Sequence, residues 1–431
     1  MEVNPLRGKR LDPRVFKVPI DRIRAGYYSD KYFSRYVEVL KRDHHHPRVL
    51  YQYFPRRDSV IVGIDEALAI LKLCTGYYKD EEKATRLFDE LLNAERELQN
   101  NVYVMNRQGI EEANRKRWDL REALNKLWID KFDEIEVRAL YDGEEAQNME
   151  PIMTIEGDPT YFGYLETVLL GVIARGSSTA TAVKKVVKAA HNKPILFFSA
   201  RFDHYWVQAT DGYAAFKAGA NVVSTDANAD YWGAEAMGTV PHALIAAYDG
   251  STSRAAIKFD QHVDPKINRI ILVDWENDVI GTTERMIKDF YEYATGKTYK
   301  AGAPLNKVIG SGAKKIWGVR FDTSGSLRDV SVTPVGENSL GVCPELVWKA
   351  RKSFDAMGLN DLKIIVSGGF DAEKIALFEK LNVPVDSYGV GSSLLREKVD
   401  ITADIVEVNG KSCAKVGRSK KDYSRLEKVE Y

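Results

Sequence analysis

Cysteine is scarce in this chain. Cys74, Cys343 and Cys413 are the three among 431 residues, and no two stand in a CxxC pair. That argues against a structural zinc site and offers no disulfide framework. No apolar run approaches membrane-spanning length. The opening MEVNPLRGKRLDPR has no apolar core of the kind a signal peptide carries, so a cytoplasmic protein is expected. An excess of one charge is missing too, since 62 Lys plus Arg balance 62 Asp plus Glu. No global field therefore favours nucleic acid or an anionic membrane as partner. An anionic ligand must be held by a local arrangement of groups.

What is present is an ordinary globular composition, 44% apolar and 29% charged, in a length suited to two or three domains. Three textures follow one another. Residues 1–150 read as an N-terminal α/β domain: strand-like YQYF and VIVGI precede a helix beginning near Asp65. Within that domain, about 80–150 is charged and helical in period, with Leu87, Leu91 and Leu92, then Leu120, Leu124 and Leu127. It reads as a helical insertion that carries no chemistry of its own.

From 151 to 395 short apolar runs alternate with amphipathic stretches. The runs are ILFFSA (195–200), ANVVST (220–225), AMGTV (236–240), RIILVD (269–274), IWGVRFD (316–322), LKIIVSGG (362–369) and VDSYGVG (385–391). Buried strands alternating with helices imply parallel pairing through right-handed crossovers. Seven runs stand close to the eight of a (β/α) barrel, so an irregular barrel is expected, with an open doubly wound sheet as the competing architecture. Residues 396–431 are expected to return and pack on the N-terminal domain.

In such barrels the loops after the strands hold the ligand, and the last two strands commonly build a phosphate site. Here those ends read SGGF, with Gly368 and Gly369, and GVGSS, with Gly389, Gly391, Ser392 and Ser393. Glycine lets backbone approach an anion, and the hydroxyls add donors. Other strand ends carry Arg201, Asp226, His242, Asp274, Arg320 and Asp322. Any one of them alone is most simply a cap or a surface charge. Together they would converge on one mouth suited to an anionic, hydroxylated ligand such as a sugar phosphate.

These residues resemble a known family. Residues from about 20 to 75 and 150 to 431 look like nicotinate phosphoribosyltransferase, in the type II group that also holds the nicotinamide and quinolinate enzymes. GTVPHALI (238–245) resembles the Gly-Thr-x-x-His motif, which implies that His242 accepts a phosphoryl group from ATP. FFSARFD (197–203) resembles the Phe-Gly-x-Arg turn, which implies Phe198 stacking on the pyridine ring and Arg201 at its carboxylate. SDKYF (29–33) resembles a Thr-Asp-x-Tyr motif whose tyrosine, here Tyr32, covers the ring from a neighbouring subunit. GVRFDTSG (318–325) places Arg320 and Asp322 near base and ribose. SGGFD (367–371) places Gly369 and Asp371 by ribose and phosphate, and YGVGSS (388–393) sets Gly389, Gly391 and Ser392 on the 5-phosphate. Arg56, Arg57, Lys415 and Arg418 lie in segments resembling those that reach pyrophosphate.

The resemblance implies nicotinate, 5-phosphoribosyl-1-pyrophosphate and ATP as ligands, magnesium accompanying the phosphates, and a homodimer or higher oligomer with the active site at its interface. Two departures stand out: Phe202 replaces a second arginine carried by many nicotinate enzymes, and Asp226 stands near an aspartate that the nicotinamide enzyme uses to hold the amide. Nicotinamide transfer, decarboxylating quinolinate transfer and a non-catalytic phosphosugar or nucleotide sensor are the alternatives. His44, His45 and His46 alternate in direction on an extended segment, so a solvated loop is expected there and no protein-bound metal.

Overall fold

The computed structural model describes residues 8–220 and 222–430. The start of the MEVNPLRGKRLDPR stretch and Asn221 of the run ANVVST lie outside them. The chain divides into two compact units. Residues up to Ser178, joined by those from Val399 onward, form the first, and Thr179–Lys398 form the second.

After helices Ile20–Arg24 and Lys31–Arg42, the first unit contributes β1 (Val49–Pro55), β2 (Ser59–Ile61), β3 (Gly76–Tyr78), β4 (Trp128–Asp130), β5 (Glu136–Ala139), β6 (Glu144–Ala146) and β7 (Met153–Gly157). The second contributes β8 (Ile195–Phe197), β9 (Val222–Val223), β10 (Ile270–Leu272), β11 (Gly318–Phe321), β12 (Lys363–Val366) and β13 (Ser387–Val390). The chain then returns to the first unit with β14 (Ile401–Val408), β15 (Lys411–Ser412) and β16 (Glu427–Lys428).

In the first unit six strands pair in the order β15-β14-β1-β7-β5-β16. β1 lies antiparallel between β14 and β7, with Tyr53 opposite Ala403 and Met153. Helix Ile64–Cys74 follows β2 and buries Ala67, Leu68, Ile70 and Leu71 in the core that backs this sheet. The leucine period at 80–150 becomes two helices, Glu81–Tyr103 and Arg107–Leu127. They close on each other through Leu91, Leu120, Leu124 and Leu127, with Leu87 and Leu92 at the margin. Asp80 and Asn106 cap their N-termini by accepting the Lys83 and Gly109 N–H groups.

The second unit carries the parallel sheet, ordered β10-β11-β12-β13-β8-β9. Its strands are two to four residues long; β8, β10 and β13 are buried throughout, as parallel strands covered on both faces must be. Six of the seven expected runs thus become strands of one curled sheet. AMGTV does not. Its residues hang between the two edge strands by one bond on each side, Met237 N–H to the Val223 carbonyl and Val240 N–H to the Ile270 carbonyl, each 2.9 Å. Pro241 has no N–H and cannot extend the ladder. The run therefore bridges the gap as an extended segment without becoming a strand.

Helices between the strands end on identifiable signals. Asp278 caps Val279–Thr295 by accepting the Gly281 N–H at 2.9 Å, and Gly296 ends it with φ 69°. Asp371 caps Ala372–Lys380 in the same way. Beneath β10 lies a fully buried ion pair, Arg269 Nε to Asp260 Oδ1 at 2.8 Å. The guanidinium also donates to the carbonyls of Asp264 and Val263, and Asp260 takes the Lys314 N–H and the Tyr293 hydroxyl. No helix among the described residues is long and apolar enough to cross a membrane.

Removing the cation would leave Asp260 charged and buried, so Arg269→Leu is expected to lower the unfolding free energy by about 3–5 kcal/mol. Urea denaturation followed by tryptophan fluorescence measures it. A loss below about 1 kcal/mol, the worth of an exposed pair, would show that the pair is not structural.

Candidate functional site

At the C-terminal ends of the parallel strands a cavity of about 690 Å³ opens within the second unit. Each strand end contributes to it for a local reason. Backbone pairing of Phe198 N–H with the Val390 carbonyl at 2.8 Å prolongs the β8–β13 ladder and sets the Phe198 ring at the mouth. Ser199 Oγ donates to the Gly391 carbonyl at 2.9 Å, joining the turn after β8 to the turn after β13. Ser393 Oγ donates to the Phe370 carbonyl at 2.8 Å, which ties the latter to the turn after β12.

Arg320 organises the middle of the site. Its Nε donates to Ser367 Oγ at 3.0 Å, one terminal nitrogen to Thr239 Oγ1 at 2.9 Å and the other to Asp322 Oδ2 at 2.9 Å. Ser367 in turn donates to Asp322 Oδ1 at 2.7 Å. The guanidinium carbon sits 5.1 Å from the Phe198 ring centroid, a cation–π contact of about 0.5–2 kcal/mol. The charge of Arg320 is thus matched by Asp322. Arg201 and Arg396 also line the cavity, and neither has a carboxylate partner among the described residues. Arg201 lies 5.2 Å from the Phe202 ring centroid, and Arg396 meets Ser392 Oγ at 3.3 Å.

His242 stands at the start of helix His242–Ala247, with Nε2 3.1 and 3.2 Å from the two oxygens of Asp274. The hydrogen bond to Asp274 is the largest influence on its pKa and raises it; burial acts the other way, and Asp322 adds to the rise. With Nε2–H given to Asp274, the lone pair of the neutral ring lies on Nδ1.

The lining includes Phe198, Arg201, His242, Arg320, Asp322, Gly368, Gly369, Asp371, Gly389, Gly391, Ser392 and Ser393 of the residues expected from sequence. Asp274 reaches the site only through His242. Asp226 is exposed on the first turn of helix Asp226–Ala229 and is not in the cavity lining, whereas its capping neighbour Thr225 is. Tyr32, on helix Lys31–Arg42, belongs to the first unit and is 63% exposed. Arg56, Arg57, Lys415 and Arg418 are also in the first unit, where Arg418 pairs with Asp404 at 2.8 Å. His46 of the triple histidine bonds Asp158 at 2.7 Å, and no group of three potential metal ligands occurs among the described residues.

The glycines divide into two kinds. Gly368 and Gly369 have φ +82° and +74°, and a Cβ on Gly369 would meet nothing within 4 Å. Gly389 and Gly391 instead make room for rings: a Cβ there would stand 2.7 Å from Phe198 Cε2 and Phe202 Cε2 respectively. Sequence reasoning assigned all four to close phosphate approach; in the second pair the missing Cβ also makes room for the two rings. It also missed Gln208, Thr225, Thr239, Ser367 and Arg396, all in the lining. Thr239 and Ser367 lie within motifs already singled out, whereas nothing in the local sequence marks Gln208 or Arg396.

No family model matches the chain. A nicotinate phosphoribosyltransferase of Mycobacterium tuberculosis is 28% identical over 270 residues, 60% of this chain and 51% of that protein. One of Bacillus subtilis is 25% identical over 262 residues, 60% of this chain and 45% of that protein. The chain spans about half the length of the curated relatives it matches. Among solved structures, the nicotinate-nucleotide pyrophosphorylase of Pyrococcus furiosus aligns over 96% of this chain and 85% of its own, at 27% identity and a TM-score of 0.67. Human nicotinic acid phosphoribosyltransferase aligns over 91% of this chain and 77% of its own, at 16% identity and a TM-score of 0.53. The resemblance read from the motifs is borne out: the chain is a relative of the nicotinate phosphoribosyltransferases and has the fold of these enzymes.

Proposed function

We propose that this protein is a nicotinate phosphoribosyltransferase, joining nicotinate to 5-phosphoribosyl-1-pyrophosphate to give nicotinate mononucleotide and pyrophosphate in NAD biosynthesis. Its main support is the charge inventory of the cavity. Arg201, after β8, and Arg396, beyond β13, are the lining cations without a carboxylate partner among the described residues. Nicotinate mononucleotide carries two anionic groups, a carboxylate and a phosphate, and guanidinium pairs with both in bidentate fashion. Quinolinate would bring a second carboxylate and find no further free cation in the lining. Nicotinamide would leave Arg201 without a charge to meet.

The pyridine nitrogen is unprotonated near neutral pH, so attack on C1 of the ribose needs no strong base. Positioning and preorganised electrostatics must do most of the work. Phe198 is held from behind by Arg320 and offers a ring face for stacking. Asp322, fixed by Arg320 and Ser367, supplies negative charge beside a developing ribosyl cation. Asp371 lies across the same lining. These two carboxylates suit the one or two that a magnesium ion takes beside phosphate oxygens, and the ion would neutralise the departing pyrophosphate. In this reading a second copy of the chain brings Tyr32 to the ring, and Arg56, Arg57, Lys415 and Arg418 serve the pyrophosphate.

ATP would couple through His242. Nδ1 takes the γ-phosphoryl group, the bond to the bridging oxygen breaks, and ADP leaves; Asp274 holds the ring and balances the proton on Nε2.

Assays with nicotinate, nicotinamide and quinolinate side by side, with and without ATP, should show nicotinate preferred over nicotinamide by at least about tenfold in kcat/KM, because the charge-assisted pairing has no equal in the amide. Absence of transfer with all three bases would overturn the enzyme reading and favour a phosphosugar-binding protein.

Labelled ATP and magnesium should place one acid-labile, alkali-stable label per chain, lost in His242→Ala. The neutral imidazole is the acceptor and its pKa is raised, so labelling should rise with pH through a midpoint above the ordinary histidine value of about 6.5. Asp274→Asn removes the main cause of the rise and should move the His242 midpoint, followed by NMR, to lower pH. An unlabelled wild type, or a midpoint indifferent to Asp274, would remove the dyad from the reaction.

A further inference from the structure

The helical insertion helps to enclose a second cavity. It holds about 280 Å³, lies in the first unit and shares no lining residue with the cavity at the strand ends. Two helices wall it, each with one face. Helix Lys31–Arg42 presents Ser34, Val37 and Lys41, and helix Glu81–Tyr103 presents Glu81, Ala84 and Phe88 at the same three- and four-residue spacing. β3 and β4 add Tyr78 and Trp128, whose rings meet edge to face at 5.0 Å. Gly76, at φ +148°, lets the indole lie against β3, since a Cβ there would stand 2.9 Å from Trp128 Cζ2.

The charges on these walls do not cancel. Lys41 pairs with Glu81 at 2.8 Å and Arg42 with Glu38 at 2.5 Å, so both carboxylates of the lining are matched. Arg24 has no carboxylate partner among the described residues. Its guanidinium lies 4.4 Å from the Trp128 ring centroid and donates to the Leu73 carbonyl and Asn125 Oδ1. The Leu73 carbonyl, in the last turn of helix Ile64–Cys74, offers only a partial negative charge. Two donors in the lining are also unspent: Trp128 Nε1 and Ser34 Oγ are shielded from water and have no hydrogen-bond partner. A buried donor left unpaired is costly, and an indole N–H can be relieved only by an acceptor. Ser34 needs one rotamer step to reach one. Aromatic faces, one uncompensated cation and two unpaired donors thus share one cavity.

We propose that this cavity is a binding site for a small aromatic carboxylate, its ring between Phe88 and the Tyr78–Trp128 pair. The carboxylate compensates Arg24 and draws the Trp128 N–H and the Ser34 hydroxyl onto its oxygens. A neutral ring would forgo the charge, and a small aliphatic acid would forgo the aromatic walls. The proposal stands apart from the base-transfer reading, because no residue used there lines this cavity.

The test titrates benzoate, benzamide and acetate into the full chain with its seven tryptophans labelled with nitrogen-15. The Trp128 indole N–H is assigned in the NMR spectrum by its loss in Trp128→Phe. Benzoate should shift that signal, with a Kd at least about tenfold below those of benzamide and acetate. Arg24→Met should abolish the preference for benzoate over benzamide. Ser34→Ala removes one donor to the carboxylate and should raise the benzoate Kd by about tenfold. It leaves the packing of Arg24 on Trp128 untouched, so it decides the matter if Arg24→Met does not fold. A Trp128 signal that benzoate leaves in place, or that benzamide moves with equal affinity, overturns the proposal. So does an unchanged benzoate Kd in Ser34→Ala. Benzoate held only in the cavity of the second unit would leave the Trp128 signal in place and count against the proposal in the same way.

Discussion

The mouth of the parallel sheet is organised around a single guanidinium. Arg320 leaves β11, donates to Ser367 at the end of β12 and to Thr239 on the segment that bridges the sheet edges, and packs behind Phe198 at the end of β8. Asp322, two residues on, neutralises it. Lysine could not do this: a planar fork directs bonds to three partners at fixed angles, whereas an ammonium is a point charge on a flexible stem. Because Arg320 is spent on this frame, Arg201 and Arg396 are the lining arginines left without a carboxylate partner among the described residues.

Phe202, which stands where the motif resemblance implies a second arginine, has a packing role of its own. The Phe202 ring rests against Gly391, and the Ser199 hydroxyl holds the Gly391 carbonyl. The turn that would meet the base and the turn that would meet the phosphate are therefore packed on each other. A side chain on Gly391 would displace Phe202 before it reached any phosphate. The glycine is demanded by an aromatic neighbour distant in sequence, and such a demand cannot be seen in a GVGSS string.

Much of the fold was nevertheless legible. The apolar centres of runs such as RIILVD and LKIIVSGG, IIL and IIV, are buried and lack polar alternation, so they announce themselves. The two-helix insertion showed in its leucine spacing. AMGTV was misleading because its composition suits a strand while Pro241 ends the ladder that would make it one. In the site, residues carried by motif-bearing strand ends, His242, Arg320, Asp322 and Gly369 among them, were reachable from sequence. Gln208 and Arg396 were not, since each joins the cavity through tertiary placement at the start of a helix or beyond a short turn. Asp226 illustrates the converse: the right residue type just past a strand end, but exposed and outside the lining.

The segment that failed to become a strand is also the one that carries the histidine. Met237–Val240 is held to its neighbours by two backbone bonds and by the Thr239 hydroxyl on Arg320. A full ladder would fix every residue of the segment, as it does for β11 and β12. A chain held at so few points is the part of a sheet that yields at least cost. His242 follows immediately, its Nε2 tied to Asp274 just after β10, so the two sides of the gap meet again in that dyad. Charge placed on the imidazole acts on Asp274 directly, and on Arg320 through the field that already links Arg320 and Asp322 to the His242 pKa. The gap in the sheet thus lies where a change at His242 can be felt by the guanidinium that orders the mouth.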